Sequence, residues 1–129
     1  MPLTSATSPY DVSATVERVL AALQRRGIQV FSRIDHAGGA RAAGLEMPDE
    51  EVVIFGDPRV GTLLMQSDPA VGYELPLRLL VWDAAGQTAI GYRPASKLAD
   101  DFDLESRTAV LGRMDQLLEQ IVAESIAPE

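Results

Sequence analysis

The stretch from Leu75 to Tyr92, LPLRLLVWDAAGQTAIGY, contains two apolar segments separated by turn-forming residues. Leu75 to Trp82 and Gln87 to Tyr92 have the length and composition of β-strands. The intervening Asp83-Ala84-Ala85-Gly86 ends on a glycine, which adopts a positive φ at little energetic cost. The stretch therefore predicts a hairpin of two antiparallel strands.

A long amphipathic helix is predicted over about residues 104–126, near the end of the sequence. Its apolar residues recur with helical spacing, whereas Asp115, Glu119 and Glu124 fall on the other side and are expected to face water. We expect this helix to be the longest element and to cover one face of the sheet that contains the hairpin. Its apolar stripe consists of Val110, Leu111, Met114, Leu117, Leu118, Ile121 and Val122.

The preceding part of the chain predicts a second helix, which begins at Asp11 or Ser13 and ends at Gly27. Residues 3–8 are compatible with a short edge strand. Residues 37–44 are rich in small side chains and are compatible with a helical turn. Asp57-Pro58 begins a short helix, because Asp caps helices and Pro suits the first helical position.

Two further strands are predicted between these helices. Residues 28–35 alternate in polarity, which predicts a strand with one dominant apolar face formed by Ile28, Val30, Ser32 and Ile34. Residues 51–55 form an unbroken apolar run after Glu51, which predicts a central strand buried on both faces.

These elements predict a single α+β domain spanning residues 1–129. A hairpin, segregated helices and the lack of alternating βαβ units favour a two-layer sandwich. Its mainly antiparallel sheet of four or five strands is expected to be packed by two longer helices.

Composition limits the classes of partner. Eleven Lys and Arg residues against nineteen Asp and Glu residues give a net charge of −8. This charge repels phosphate backbones and anionic lipid headgroups, so we expect neither nucleic acid nor membrane as a partner. The first residues do not resemble a signal peptide and no apolar run approaches membrane-spanning length, so we expect a cytoplasmic protein. Because cysteine is absent, thiol nucleophiles and thiolate metal sites are excluded.

Four segments of the sequence resemble the motifs of a known family: Phe31 to Ala37, Phe55 to Pro58, Gly61 to Met65 and Leu75 to Trp82. In order and spacing they resemble the bacterial family called domain of unknown function 302, over about residues 12–105. The resemblance implies a β-α-β4-α order, an architecture similar to the TATA-binding-protein-like or helix-grip folds, and a homodimer. Fold similarity to a DNA-binding protein does not carry its function.

His36 is the only histidine and directly follows Asp35 at a strand end. Imidazole titrates near neutral pH, so this pair is a candidate for acid–base catalysis. Neighbouring strand residues point to opposite faces, however, so the two side chains need not meet, and a structural role is favoured over catalysis. A metal site would have to combine His36 with carboxylates such as Asp35, Asp57 or Glu74, and the spacing matches no metal motif. We predict no metal and no cofactor.

A second candidate site lies at the start of the short helix. Gly56, Asp57, Gly61 and Thr62 bring a tight turn, backbone N–H groups and a hydroxyl together, which favours binding of a polar ligand group. Met47, Met65 and Met114 are candidates for lining an adaptable apolar pocket, although methionines are more often part of the core. In the alternative interpretation, Asp57 caps the helix and Gly61 permits close packing. Members of the resembled family often carry Asn at position 57, and the Asp here disfavours an anionic ligand.

From these residues we predict a homodimeric module that binds a small molecule or a partner between the sheet and the long helix, without strong catalysis. His36 and Thr62 are expected to converge, because both lie near strand ends. A metabolite enzyme that uses His36 and Asp35 as an acid–base pair is the alternative. In a third hypothesis these residues only hold the dimer together.

Overall fold

The computed structural model describes residues 3–129 and confirms the α+β fold class. The strands are β1 (Thr4–Ser8), β2 (Gln29–Asp35), β3 (Glu50–Gly56), β4 (Leu77–Ala84) and β5 (Gln87–Tyr92). The α-helices are α1 (Val12–Arg25), α2 (His36–Ala42), α3 (Pro58–Ser67) and α4 (Thr108–Ile126), and 3-10 helices span Pro69–Glu74, Ala95–Asp100 and Glu105–Arg107. The strands form one sheet in the order β1-β5-β4-β3-β2, with all neighbours antiparallel. The short helices α2 and α3 are inserted into the expected β-α-β4-α order.

The hairpin of β4 and β5 forms as predicted, with a tighter turn. Ala84 pairs with Gln87, which leaves Ala85 and Gly86 as the two turn residues. Their φ angles are +54° and +92°. Two consecutive positive φ angles are typical of the type I′ turn, whose twist matches that of the flanking strands.

Helix α1 begins and ends at predicted residues. The side chain of Asp11 caps it by accepting a hydrogen bond from the N–H of Ala14 at 2.7 Å. Gly27, at φ +66°, follows the last turn and lets the chain reverse into β2.

Helices α1 and α4 pack against one face of the sheet. The apolar stripe of α4 faces the interior, as predicted, and contributes to two core clusters. In the first cluster Leu118 and Ile121 contact α1 and the sheet. In the second, Val110 and Leu111 pack near α3 and the 3-10 helices. The fully buried side chains on the inner face of the sheet are Val53, Phe55, Leu79, Val81 and Ile90.

Two predictions about the strands are wrong. Strand β3 is central, but its residues alternate between buried and half-buried, so only one face is fully buried. Strand β2 contains a register shift between Val30 and Ser32, which places Val30 opposite Phe55 and Ile34 opposite Val52. A β-bulge moves the following side chains to the other face. Val30 and Ile34 therefore do not share one apolar face.

The sheet face opposite α1 and α4 carries the half-buried side chains of Val52, Ile54, Leu80 and Trp82. We call this surface the open face. Glu50 and Arg78 lie on the same face, near opposite ends of the apolar patch, because both alternate with buried residues of β3 and β4.

Of the acidic residues on α4 that were expected to face water, only Glu119 does so without a partner. Asp115 is half-buried and accepts hydrogen bonds from the N–H groups of Ala95 and Ser96 at 2.6 and 3.3 Å. Glu124 is ion-paired with α1. Among residues 3–129, no helix combines the length and apolar character that crossing a membrane requires.

Candidate functional site

A cavity of about 580 Å³ lies between α3, α4 and one end of the sheet. Gln29 pairs with Gly56, so the start of β2 and the end of β3 lie side by side at this end. Ile28 and Phe31 line the cavity from the β2 side. Volumes of roughly 300–1,000 Å³ are typical of small-molecule sites.

Helix α3 forms one wall of the cavity through Val60, Gly61, Thr62 and Met65. A Cβ on residue 61 would lie 3.6 Å from Leu75 Cδ1 and 3.9 Å from Met65 Cε. These are ordinary contact distances, so a larger side chain at this position would extend into the cavity. The lack of a side chain at Gly61 therefore contributes directly to the open volume.

Helix α4 forms a second wall of the cavity, at the junction between the two core clusters. Met114 is buried, Leu117 is half-buried, and both line the cavity. Arg113 lines it as well and is exposed. The remaining wall comes from Gly72 and from Leu75 to Leu77, where a cis peptide bond joins Leu75 to Pro76. The lining is mainly apolar.

The polar groups at the start of α3, where a ligand site is predicted, already have hydrogen-bond partners within the protein. Asp57 caps the helix by accepting a hydrogen bond from the N–H of Arg59 at 2.9 Å. The N–H groups of Val60 and Gly61 donate to the backbone oxygen of Asp57. Thr62 Oγ1 donates to the Pro58 oxygen at 2.7 Å. The helix-cap interpretation of Asp57 is confirmed.

The charge of Asp57 is compensated by Arg59. The guanidinium donates from Nη2 to Asp57 Oδ2 at 3.0 Å and from Nε to Oδ1 at 3.1 Å. The side-chain hydrogen bond from Arg59 lowers the pKa of Asp57, and the backbone hydrogen bond from the same residue lowers it further. Asp57 is therefore held in its ionised, ion-paired form.

The predicted ligand-binding residues Gly56, Asp57, Gly61, Thr62 and Met65 all line this one cavity. Their role as ligand contacts stays a prediction.

His36 lies elsewhere. Because β2 and β3 are antiparallel, Asp35 pairs with Glu51 at one end, whereas Gln29 pairs with Gly56 at the other. At roughly 3.3 Å per residue, the two ends are about 20 Å apart. The expected convergence of His36 with Thr62 is therefore wrong.

Asp35 and His36 are not arranged as an acid–base pair. The Asp35 carboxylate caps α2 by accepting a hydrogen bond from the N–H of Gly38 at 2.8 Å, and Arg41 Nη2 lies 3.8 Å from its other oxygen. A Cβ on residue 38 would lie 2.6 Å from Asp35 Oδ2, so glycine allows this close approach. His36 is exposed and no hydrogen bond joins it to Asp35.

Metal-ligating side chains are not clustered in the described part of the chain: no group of three His or carboxylate side chains there is placed to hold an ion.

Sequence reasoning missed Phe31, Pro76, Arg113 and Leu117 as lining residues. Of these four residues, Arg113 is the one that the sequence could have indicated, because it is a basic residue directly beside the apolar stripe of α4. Its relation to α3 depends on long-range packing, which local spacing does not contain.

The fold and the cavity define a small α+β domain in which two long helices cover an antiparallel sheet. The chain belongs to the family described as Domain of unknown function DUF302, whose model matches residues 4–121. The crystal structure of an uncharacterized conserved protein DUF302 from Bacillus stearothermophilus is similar, with a TM-score of 0.75. The alignment covers 98% of this chain and 96% of that one at 20% sequence identity, so it supports the fold alone.

The chain also matches parts of longer curated proteins. It is 40% identical over 103 residues to the fluoride-specific ion channel FluC 1 of Brucella suis biovar 1 (strain 1330), with 79% of this chain and 41% of the relative covered. The identity is the same to the fluoride-specific ion channel FluC 2 of Brucella melitensis biotype 1, of which 38% is covered. The chain thus spans about two-fifths of the length of these relatives.

Proposed function

We propose that this protein is a homodimeric module that binds a small, largely apolar molecule in the cavity between α3, α4 and the sheet, without strong catalysis. The observation that carries the proposal is the cavity of about 580 Å³, lined mainly by apolar side chains. Transfer of apolar surface from water into such a site is favourable by roughly 25 cal/mol per Å².

The residues that line the cavity favour a ligand-binding site over a void left by imperfect packing. Glycines stand at positions 61 and 72, where larger residues would occupy its volume. Met65 and Met114 bring flexible, polarisable side chains to the lining from two different helices, which suits ligands of varied shape.

Matched substitutions at two helical glycines test the proposal. Gly61→Leu fills the cavity, whereas Gly112→Leu adds the same side chain where a Cβ meets nothing within 4 Å. Leu is favoured over Gly within a helix by about 1 kcal/mol, so neither variant should lose stability through its helix. We expect a neutral environment-sensitive dye, N-phenylnaphthylamine, to bind the wild type and Gly112→Leu with similar affinity and to bind Gly61→Leu weakly. Equal binding to folded Gly61→Leu would contradict the proposal.

The proposed dimer is supported by the open face. Its apolar patch has Glu50 near one end and Arg78 near the other, although Arg78 is also 3.4 Å from Glu74. A surface with both charges is self-complementary, as a two-fold interface requires. We propose that two copies pair through this face.

The enzyme hypothesis loses support from the geometry of its residues. Asp35 is engaged with Gly38 and Arg41, and His36 lies outside the cavity. Under the binding proposal, His36→Ala leaves dye affinity unchanged. Loss of affinity in a folded His36→Ala protein would revive the alternative.

A second candidate function is that of a partner module for a membrane channel. It is favoured by the Brucella relatives, in which a region 40% identical to this chain is part of proteins named fluoride-specific ion channels. A channel needs membrane-spanning segments, and no helix within residues 3–129 is long and apolar enough to supply one. We propose that this domain acts on the cytoplasmic side, together with the membrane-spanning part of such a channel.

The channel proposal is testable in cells. Deletion of the gene for this protein should lower tolerance to fluoride in the growth medium and leave tolerance to chloride unchanged, and re-expression should restore it. Unchanged fluoride tolerance would contradict this second proposal and would leave the cavity proposal intact.

A further inference from the structure

Most basic side chains of this acidic protein are already paired. Ion pairs engage the arginines at positions 25, 26, 33, 41, 59, 78 and 93. Arg18 donates hydrogen bonds to carbonyl oxygens at the end of α4, and Arg107 donates to Ser67 and Gln66. Within residues 3–129, only Lys97 and Arg113 have neither an ion pair nor a side-chain hydrogen bond.

Arg113 is the one of these two that lines the cavity. It precedes Met114 directly and lies about one helical turn before Leu117, both of which line the same wall. Its neighbours in the cavity are thus apolar, while its own side chain is exposed. A ligand whose body lies against Met114 and Leu117 has its end group within reach of a guanidinium.

The other charge in the lining does not compete for this arginine. Among residues 3–129, Asp57 is the only carboxylate that lines the cavity, and both of its oxygens accept hydrogen bonds from Arg59. The N–H groups of Val60 and Gly61 are also satisfied, so the start of α3 offers no free donor there. Arg113 is therefore the free charged donor of the site.

We infer that the ligand is an amphipathic anion, with an apolar chain or ring system in the cavity and a single acidic group on Arg113. This inference rests on the proposed binding function and specifies its ligand class. Guanidinium groups bind carboxylates and phosphates through two parallel hydrogen bonds, which fixes the orientation of such a molecule. The net charge of −8 repels an anion from the rest of the surface, so an anionic ligand is held only beside an unpaired cation, which Arg113 provides.

Three probes with the same chain and different head groups test the inference: decanoate, decanol and decylammonium. Dissociation constants are measured by displacement of N-phenylnaphthylamine at low ionic strength and again at high ionic strength. The variants are Arg113→Gln and, as a control that removes the same charge elsewhere, Lys97→Gln. We expect decanoate to bind wild type about tenfold more tightly than decanol, since a charge-assisted hydrogen bond contributes free energy of that order.

The outcomes distinguish failure of the anion assignment from failure of the proposed binding in the cavity. In Arg113→Gln, decanoate should lose its advantage while decanol affinity stays constant, and Lys97→Gln should behave as wild type. Equal affinity for decanoate and decanol in the wild type would overturn the anion assignment and leave the cavity proposal standing. Stronger binding of decylammonium would overturn it too. No binding of any probe would overturn both.

Discussion

Met65 crosses directly over Gly72, so closely that a Cβ on residue 72 would lie 3.1 Å from Met65 Sδ and 3.7 Å from its Cγ. Met65 is 37% exposed and flexible, so it can shift by the few tenths of an ångström that an added methyl group requires. Both residues line the cavity. A side chain added at position 72 would therefore displace the Met65 side chain.

Gly72→Ala should therefore weaken ligand binding without unfolding the protein. We expect lower affinity for N-phenylnaphthylamine and little net change in the free energy of unfolding. Only a mobile side chain has to move, and replacing Gly by Ala at a compatible backbone position itself stabilises a fold by about 0.4–1 kcal/mol. Chemical denaturation and dye titration on the same sample measure both quantities. Unchanged affinity would show that Met65 moves away from the cavity, contrary to the account.

Stability at acidic pH should depend on Glu124. Hydrogen bonds from Arg26, and then from Arg25, lower the pKa of Glu124 from its usual 4.5 to about 2. A group whose pKa is lower in the folded state stabilises that state above the unfolded pKa. This contribution is present above about pH 4.5 and is lost as the pH falls toward 2.

Glu124→Gln should consequently be less stable than the wild type at pH 7, and the difference should shrink as the pH falls from 4.5 to 2. Urea denaturation at several pH values measures it. Glu119→Gln, on the same helix without an ion pair, is the control and should follow the wild-type curve. A difference between wild type and Glu124→Gln that is constant over this range would contradict the ion-pair explanation.

Arg33 compensates a buried carboxylate. Its Nε lies 2.7 Å from Glu51 Oε1, and the Glu51 side chain is only 10% exposed. Arg33→Gln should destabilise the fold by about 2 kcal/mol, somewhat below the usual cost of an unpaired buried charge because Arg33 is partly exposed. The double variant Arg33→Gln, Glu51→Gln should recover part of the loss.

Glu17 supplies the matched control for this ion pair. It lies 2.6 Å from Arg33 Nη1, but its side chain is 64% exposed. Glu17→Gln should cost less than about 1 kcal/mol, as exposed ion pairs do. Thermal or urea denaturation ranks the variants, and equal losses for Glu17→Gln and Arg33→Gln would count against a special role for Glu51.

The open face should control oligomeric state. Leu80 lies at its centre, paired with Val52 on one side and Gly91 on the other. Leu80→Glu places a charge in the proposed interface and should convert a dimer to a monomer in sedimentation velocity experiments. Leu45→Glu changes an apolar residue that is 65% exposed and lies outside the sheet, and should remain dimeric. A monomeric wild type at micromolar concentration would contradict the proposed dimer.

Much of the fold follows from local patterns. The stripe on α4, the caps at Asp11 and Asp57 and the glycine in the β4–β5 turn each specify an element through neighbours within a few residues. For these elements the physical cause is local, so the sequence was sufficient.

The remaining features arise from pairing between distant segments. The bulge in β2 depends on its register with β3, and that same antiparallel pairing separates His36 from Gly56. Asp115 falls on the polar side of the helical pattern, yet it accepts a hydrogen bond from the backbone N–H of Ala95 in another segment. Arg113 gains its significance only when α4 packs beside α3. Period and composition carry no information on these contacts.

The methyl groups of the methionines test binding in the cavity most directly. Met65 and Met114 line the cavity from α3 and α4, whereas Met47 lies outside it in the connection between α2 and β3 and is 36% exposed. In NMR spectra of protein labelled with ¹³C at the methionine methyl groups, titration with decanol should shift the Met65 and Met114 signals saturably and leave Met47 unmoved. Saturable binding with both cavity signals unchanged would contradict the account.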